Sequence, residues 1–336
     1  MIYPQFIKEF DKIYLVAPSF GCTTSPYTER LDSAISFFEK RNYKIKEGIN
    51  TRKYTLGASN TKELRAQEIN DAFSSDASLV ASVGGGELMC DIVDYLDFKL
   101  IKENPKWFMG CSDNTWLTYL LTTICDMASL YAINFPTFGV NNPYQNILDT
   151  YSLLTGKTSV IKNYSEYELP GVVKEDPLDG YLLTEKTEIH YKNCKKIKTK
   201  GRLLGGCLDI LSQIVGTPMD KTKEFVEKYK NDGIIWYIEA CDLNAMQIYR
   251  ALLQMKRAGW FLYTKAILFG RPYTAYNRAI YDIDQYNAAT LTLGNDIPMA
   301  FDLDFGHVPP NIPIINGALC DIVVKNNSVK MKYEYK

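Results

Sequence analysis

The chain has 336 residues, 46% of them hydrophobic and 23% charged, with a formal net charge of −1. That length accommodates two domains with separate cores, and the composition is that of a globular protein. A charge so close to zero gives no electrostatic case for nucleic acid or for an anionic membrane surface as partner. The opening residues, Met1–Ser19, lack a basic region followed by a long apolar run and a small-residue cleavage site, so neither a signal peptide nor a membrane span is expected. The eight cysteines form no Cys-x-x-Cys pair, which predicts reduced thiols in a cytoplasm, with no disulfide framework and no zinc site. Two histidines, His190 and His307, are the candidates for any imidazole chemistry.

Lys12–Ala17 reads as a buried strand. Thr28–Lys40 carries Leu31, Ile35 and Phe38 at helical spacing, Tyr43–Glu47 alternates as a strand does, and Thr61 is positioned to cap a second helix that runs to Phe73. Ser78–Val83 is a strand that enters Gly84-Gly85-Gly86, with a helix expected over Glu87–Leu96. A strand at Trp107–Met109, a helix at Thr115–Ile124 and a strand at Ser129–Ile133 follow. Strands alternating with helices imply a parallel sheet with helices on both faces, and ligands bind such sheets beyond the carboxyl ends of the strands. The triple glycine and Ser112 both follow strands directly and so belong to one edge. Three glycines after a strand also suit a phosphate, but no G-x-G-x-x-G or G-K-[ST] is present, and a plain tight turn is an equal reading.

Asn141–Tyr191 changes character: it is polar and rich in Tyr, with Pro143, Pro170 and Pro177, and reads as a helix near Tyr144–Leu154 followed by a linker. A second domain starts near Lys198. Gly201–Leu208 is a strand ending in a Gly-Gly turn, Gly233–Ile238 is an apolar strand with Glu239 at its end, and a helix spans about Leu243–Ala258. Lys265–Phe269 is a strand closed by Gly270-Arg271-Pro272. Cys320–Val324 and Ser328–Tyr333 form a closing hairpin. The division expected is 1–160 for the first domain, 161–197 for an irregular linker and 198–336 for the second domain.

Gly110-Cys111-Ser112-Asp113 joins a strand to an apolar helix, the setting of a nucleophile elbow, in which a serine stands at the apex of a sharp turn. Gly110 lets the backbone pass close beneath, and Asp113 or Asn114 can cap the new helix. The Asp113 N–H then lies at a helix start, suited to a developing oxyanion. Ser112 serving only as a helix cap is the plainer alternative. Serine hydrolysis also needs an imidazole base and a carboxylate to orient it. His307 lies in a turn-rich loop, whereas His190 lies in a charged, solvated stretch. Glu239, at the end of an apolar strand, needs a partner, and Asp242, Asp302 and Asp304 are rival orienters.

These segments resemble the LD-carboxypeptidase family of serine peptidases, which includes a microcin C immunity type. The similarity runs from Val16-Ala17-Pro18-Ser19 through Gly85-Gly86 and Gly110-Cys111-Ser112-Asp113. It continues through Gly205-Gly206, Ile238-Glu239, Gly270-Arg271-Pro272 and Phe305-Gly306-His307. The resemblance implies an α/β fold: a flavodoxin-like parallel-sheet N-terminal domain plus a smaller, swivelling β/α C-terminal domain, paired as a homodimer, with the site in the cleft between domains. It implies Ser112 as nucleophile, Glu239 as orienter, His307 as base, and the N–H groups of Gly86 and Asp113 as oxyanion hole, with no cofactor and no metal. Gly85, Glu87, Cys207 and Arg271 are the substrate-cleft candidates. Where relatives often have Tyr before the serine, this chain has Cys111; where they have Asn after the second Gly-Gly, it has Cys207. The Tyr-Gly-Ser that often follows the first Gly-Gly in murein enzymes is here Glu87-Leu88-Met89.

Two substrates fit the resemblance: the L,D bond to a terminal D-alanine in a muropeptide, and the acyl–nucleotide linkage of a microcin C-like peptidyl-nucleotide. Gly270-Arg271-Pro272, the Glu87 segment and the aromatic stretch after Asn141 favour the second. A non-catalytic peptide- or nucleotide-binding protein is the alternative of a different class. A dinucleotide-dependent oxidoreductase rests on the sheet and Gly84–Gly86 alone.

Overall fold

The first sheet is built around Lys12–Val16 (β1), in which Ile13–Val16 are all buried, as the near-continuous apolar run of a central parallel strand requires. In this computed structural model, residues 1–335 are described, and the chain divides into two units: 1–158 with 173–181, and 159–172 with 182 onward. In the first unit the chain continues through Tyr27–Glu39 (α1), Lys44–Glu47 (β2), Lys62–Ser74 (α2), Leu79–Ser82 (β3), Phe98–Glu103 (α3), Trp107–Gly110 (β4), Thr115–Thr123 (α4), Ser129–Tyr131 (β5) and Gln145–Leu154 (α5). The strands lie in the order β2-β1-β3-β4-β5, all parallel. That is the flavodoxin-like order, whose switch point falls between β1 and β3.

The loops at the carboxyl edge are tied down from α2. Thr61 caps this helix as expected, its hydroxyl accepting the Leu64 N–H. One turn further, the buried Arg65 donates to the carbonyls of Pro18 (2.8 Å) and Leu88 (2.7 Å), joining the loops after β1 and β3. Glu68 accepts the N–H groups of Ala17 (2.7 Å) and Asn50 (2.8 Å), joining those after β1 and β2; burial nevertheless pushes its carboxyl up to about 7. The helix expected over Glu87–Leu96 is a 3-10 helix, Met89–Tyr95. Its first turn is pinned by side chains, since Leu88 O is held by Arg65 and the Met89 N–H is held by Asp113, which replaces the start of an α-helical ladder.

The second unit contains Val160–Lys162 (β6), Glu166–Tyr167 (β7), Glu185–Lys186 (β8), His190–Lys192 (β9), Lys196–Cys207 (β10), Leu208–Ile214 (α6), Thr222–Lys228 (α7), Ile234–Glu239 (β11), Ala245–Arg257 (α8), Thr264–Gly270 (β12), Gln285–Leu293 (α9), Met299–Leu303 (β13), Ile314–Asn316 (β14), Leu319–Lys325 (β15) and Ser328–Glu334 (β16). Its main sheet runs β6-β16-β15-β10-β11-β12-β13-β9, with β10 to β13 parallel at the centre and antiparallel strands on both flanks.

Three expectations need correction. Residues 161–197 are not a linker. They are divided between the two units and supply strands whose partners, β16 and β13, lie more than a hundred residues away, so no local pattern announces them. With these strands the second unit is not the smaller; the two are of nearly equal length. Finally, Gly205-Gly206 is not a turn but part of β10. The glycines permit close pairing with β11, where a Cβ on Gly205 would lie 1.7 Å from Tyr237 O. Among the described residues no helix is long and apolar enough to cross a membrane.

Candidate active site

In the first unit, β4 is buried throughout, and the chain leaves it in a bend that places Ser112 at φ +63°. A non-glycine residue is rarely held in the left-handed region, and such backbone strain is concentrated at functional turns. The packing enforces the bend. A Cβ on Gly110 would lie 2.8 Å from Asn114 Cγ, and one on Gly85 would lie 2.9 Å from Ser112 Cβ and 3.1 Å from its Oγ. The Ser112 N–H donates to Tyr131 Oη (3.2 Å). Asn114 Nδ2 donates to the carbonyls of Gly84 (2.8 Å) and Cys111 (3.0 Å), fastening the glycine loop to the serine turn.

Asp113 does not cap α4. Its carboxylate turns inward and accepts the Ser19 hydroxyl (2.5 Å) and the Met89 N–H (2.9 Å), so it connects the loops after β1, β3 and β4. Burial raises its pKa against these hydrogen bonds. Gly86, at φ +140°, lies where a Cβ would come within 2.3 Å of Ser19 Oγ. Ser112, Gly85, Gly86 and Asp113 therefore gather at the carboxyl edge of one sheet. Glu87 is exposed and Cys111 half-buried.

In the second unit, β11 ends in Glu239, whose side chain is fully buried. The loop after β13 crosses over it: Gly306, at φ +109°, approaches so closely that a Cβ would lie 2.7 Å from Glu239 Oε2. The next residue, His307, places Nδ1 2.8 Å from the same oxygen and keeps 20% of its side chain exposed. Burial alone would lower the imidazole pKa. The Glu239 charge and a hydrogen bond with the Cys241 thiol oppose it, and the net effect holds His307 well above its ordinary value.

The rivals are engaged elsewhere. Asp302 accepts Tyr286 Oη and pairs with His190 (2.9 Å), whose side chain is half exposed. Asp304 pairs with Arg271 (2.6 Å), and the Arg271 guanidinium also lies over the Tyr167 ring. Arg271 is thus an internal strut, not a cleft residue; Gly270-Arg271-Pro272 turns its side chain into the core. Cys207 does join the cluster: it is the register partner of Glu239 across β10 and β11, and its thiol donates to Asp209 Oδ2 (3.4 Å).

Asp209 and Cys241 escape sequence reasoning. Asp209 accepts the N–H groups of Cys241 (2.9 Å) and Asp242 (2.8 Å) and fixes the turn that follows Glu239. Its one signal is position, an acidic residue in the first turn of a helix that follows a strand. A pocket of about 420 Å³ lies alongside, lined by Leu169, Pro170, Gly171, Tyr273, Tyr276 and Arg278. The Tyr273 and Thr274 N–H groups donate to Ala240 O and Cys241 O, which fixes one pocket wall to the segment after Glu239.

Residues 13–132 match the LD-carboxypeptidase N-terminal domain and residues 200–322 the LD-carboxypeptidase C-terminal domain. The chain belongs to the LD-carboxypeptidase family. The microcin C7 self-immunity protein MccF of Escherichia coli is 26% identical to it over 319 residues, 91% of this chain and 89% of that relative. A probable murein peptide carboxypeptidase of Bacillus subtilis (strain 168) is 26% identical over 257 residues, 76% of this chain and 70% of the relative. The solved structure of MccF in complex with aspartyl sulfamoyl adenosine shares the fold, with a TM-score of 0.82 at 22% identity over 100% of this chain and 99% of that one. As a member of that family, the chain is a serine-type peptidase and hence a hydrolase.

Proposed function

We propose that this protein hydrolyses an amide-type bond with Ser112 as nucleophile, His307 as general base and Glu239 as the group that orients the imidazole. The observation that carries this reading is the strained Ser112 backbone at the apex of a strand-to-helix turn, with the Gly84–Gly86 loop against its side chain. His307 takes the hydroxyl proton as Ser112 attacks the carbonyl, and returns it to the leaving group. Glu239, bonded to Nδ1, selects the tautomer that leaves Nε2 as the acceptor. The N–H groups of Gly86 and Asp113 bind the oxyanion, an arrangement in which each donor contributes about 10²–10³ in rate.

The substrate we favour is a peptidyl- or aminoacyl-nucleotide of the microcin C kind. Its support is the pocket beside the Glu239 turn, whose volume suits a small-molecule moiety and whose tyrosines and Arg278 suit an aromatic, anionic leaving group. A named relative confers immunity to microcin C7, and its solved complex holds aspartyl sulfamoyl adenosine. The second reading, release of D-alanine from a muropeptide, draws support from the murein peptide carboxypeptidase relative. We take the working form to be a cytoplasmic homodimer that needs no cofactor.

Side-by-side hydrolysis of a peptidyl-adenylate analogue and an L,D-tetrapeptide separates the two. Turnover of the adenylate is expected to dominate, and turnover of the tetrapeptide alone would reverse the choice. A second test addresses the glycine loop. Gly85→Ala must push the new methyl against Ser112, and is expected to lower kcat by about 10²–10³. The folded fraction should stay intact, as circular dichroism would show. Unchanged turnover in Gly85→Ala would detach the glycine loop from the chemistry.

A further inference from the structure

Cys207 closes a cluster whose donor set differs from that of a plain catalytic dyad. One ligand-competent atom each from Cys207, Glu239 and His307 lies within 4.8 Å of the other two. Two of the three are cross-strand neighbours, Cys207 at the end of β10 and Glu239 at the end of β11, so their spacing is fixed by the ladder of a buried parallel sheet. The third is held over Glu239 by the Gly306 turn. Thiolate, imidazole and carboxylate are together the donors of a tetrahedral zinc site. Zinc bond lengths of about 2.0–2.3 Å place tetrahedral ligand atoms about 3.4–3.6 Å apart, so closure needs shifts on the order of 1 Å. Asp209, bonded to the Cys207 thiol, and Cys241, bonded to His307, supply the outer groups that steady such ligands.

We propose that Cys207, Glu239 and His307 form a binding site for a borderline-soft divalent cation of the zinc class, and that its occupation switches the hydrolase off. Binding forms one metal–sulfur, one metal–nitrogen and one metal–oxygen bond, with water in the fourth position. The Cys207 thiol gives up its proton to solvent, and an imidazolium at His307 gives up one as well. While the metal is held, the imidazole lone pair and the carboxylate are both committed, so neither serves Ser112. Magnesium and calcium, which take oxygen ligands, do not fit this set. The inhibition rests on the hydrolase reading; the binding does not.

The test uses the full chain, stripped with a chelator and titrated with Co²⁺. One equivalent is expected to produce a thiolate-to-cobalt charge-transfer band in the near ultraviolet, bleached when Zn²⁺ displaces the cobalt. Cys207→Ala and the near-isosteric Cys207→Ser, each checked for a native thermal melt, should lose the band and bind Zn²⁺ at least about 10²-fold more weakly. Zn²⁺ should also block labelling of Ser112 by a fluorophosphonate in the wild type. Loss of that block is expected in both variants at the same metal concentration. A band that persists in both variants, cobalt bound with no thiolate band, or hydrolysis that rises with Zn²⁺ would each overturn the proposal. A cobalt band in a protein with no hydrolytic activity would leave the site standing and remove the hydrolase reading alone.

Discussion

Ser112→Ala is expected to reduce hydrolysis of the accepted substrate by about 10⁴–10⁶-fold, the range found when the nucleophile of a serine hydrolase is removed. Oγ is the attacking atom in this reading, and nothing else at the turn replaces it. Cys111 precedes Ser112 by one residue and begins the turn in extended geometry, with its N–H bound to Asn134 Oδ1. The left-handed backbone, the contact with Gly85 and the hydrogen bond to Tyr131 all belong to Ser112. The substitution keeps the Cβ and deletes one oxygen from a half-buried side chain, so the thermal midpoint should move by no more than a few degrees. Substrate affinity, measured by calorimetry on the inactive variant, should be retained. Activity within tenfold of wild type would remove Ser112 from the mechanism. A parallel loss in Cys111→Ala with Ser112 intact would transfer the role to the thiol.

The elbow is legible in the sequence because its determinants are local: an apolar strand, a glycine two residues before the serine, and an apolar helix directly after. The parallel first sheet with helices on both faces follows from the same alternation, whereas its flavodoxin-like order is implied only by the family resemblance. Asp113 shows where local reading ends. A carboxylate just after the apex reads as a helix cap, yet Ser19 and Met89 offer it buried donors from two other loops, and those long-range bonds win. Arg271 fails for the same reason. Its motif marks a turn at a strand end, but whether the guanidinium faces a ligand or the core depends on Asp304 and Tyr167, which only the fold brings to it. Strands β6 and β9 are invisible locally because they are the two edges of the main sheet and their partners, β16 and β13, lie more than a hundred residues away. Helix α9 is likewise missed: Gln285–Leu293 has little apolar periodicity and is marked chiefly by its cap, Asp284, which accepts the Asn287 N–H (2.7 Å).

Glu239→Gln should separate the orienting role from mere packing, because it acts on rate and pH dependence together. In the wild type, burial of His307 favours the neutral ring, but the Glu239 charge and the Cys241 contact prevail and hold its pKa well above the ordinary 6.5. A base must be neutral to accept a proton, so kcat/KM of the wild type is expected to climb through the alkaline range instead of levelling off near neutrality. Replacing the carboxylate by an amide removes the main raising influence and leaves burial, which lowers. The acid limb should therefore move to lower pH, while the plateau falls by about 10⁴ as the ring loses its preferred tautomer.

Stability carries a matching signature. A histidine whose folded pKa is raised contributes stability that is full below its unfolded value and is lost as pH rises through the folded value. The Gln variant lacks that contribution, so the gap between wild-type and variant denaturation midpoints should be widest on the acid side and close toward alkaline pH. A residue that only filled space beneath His307 would shift neither the limb nor the pH trend of stability. A pH–rate profile unchanged in position, whatever its height, would show that Glu239 does not hold the proton balance of the imidazole.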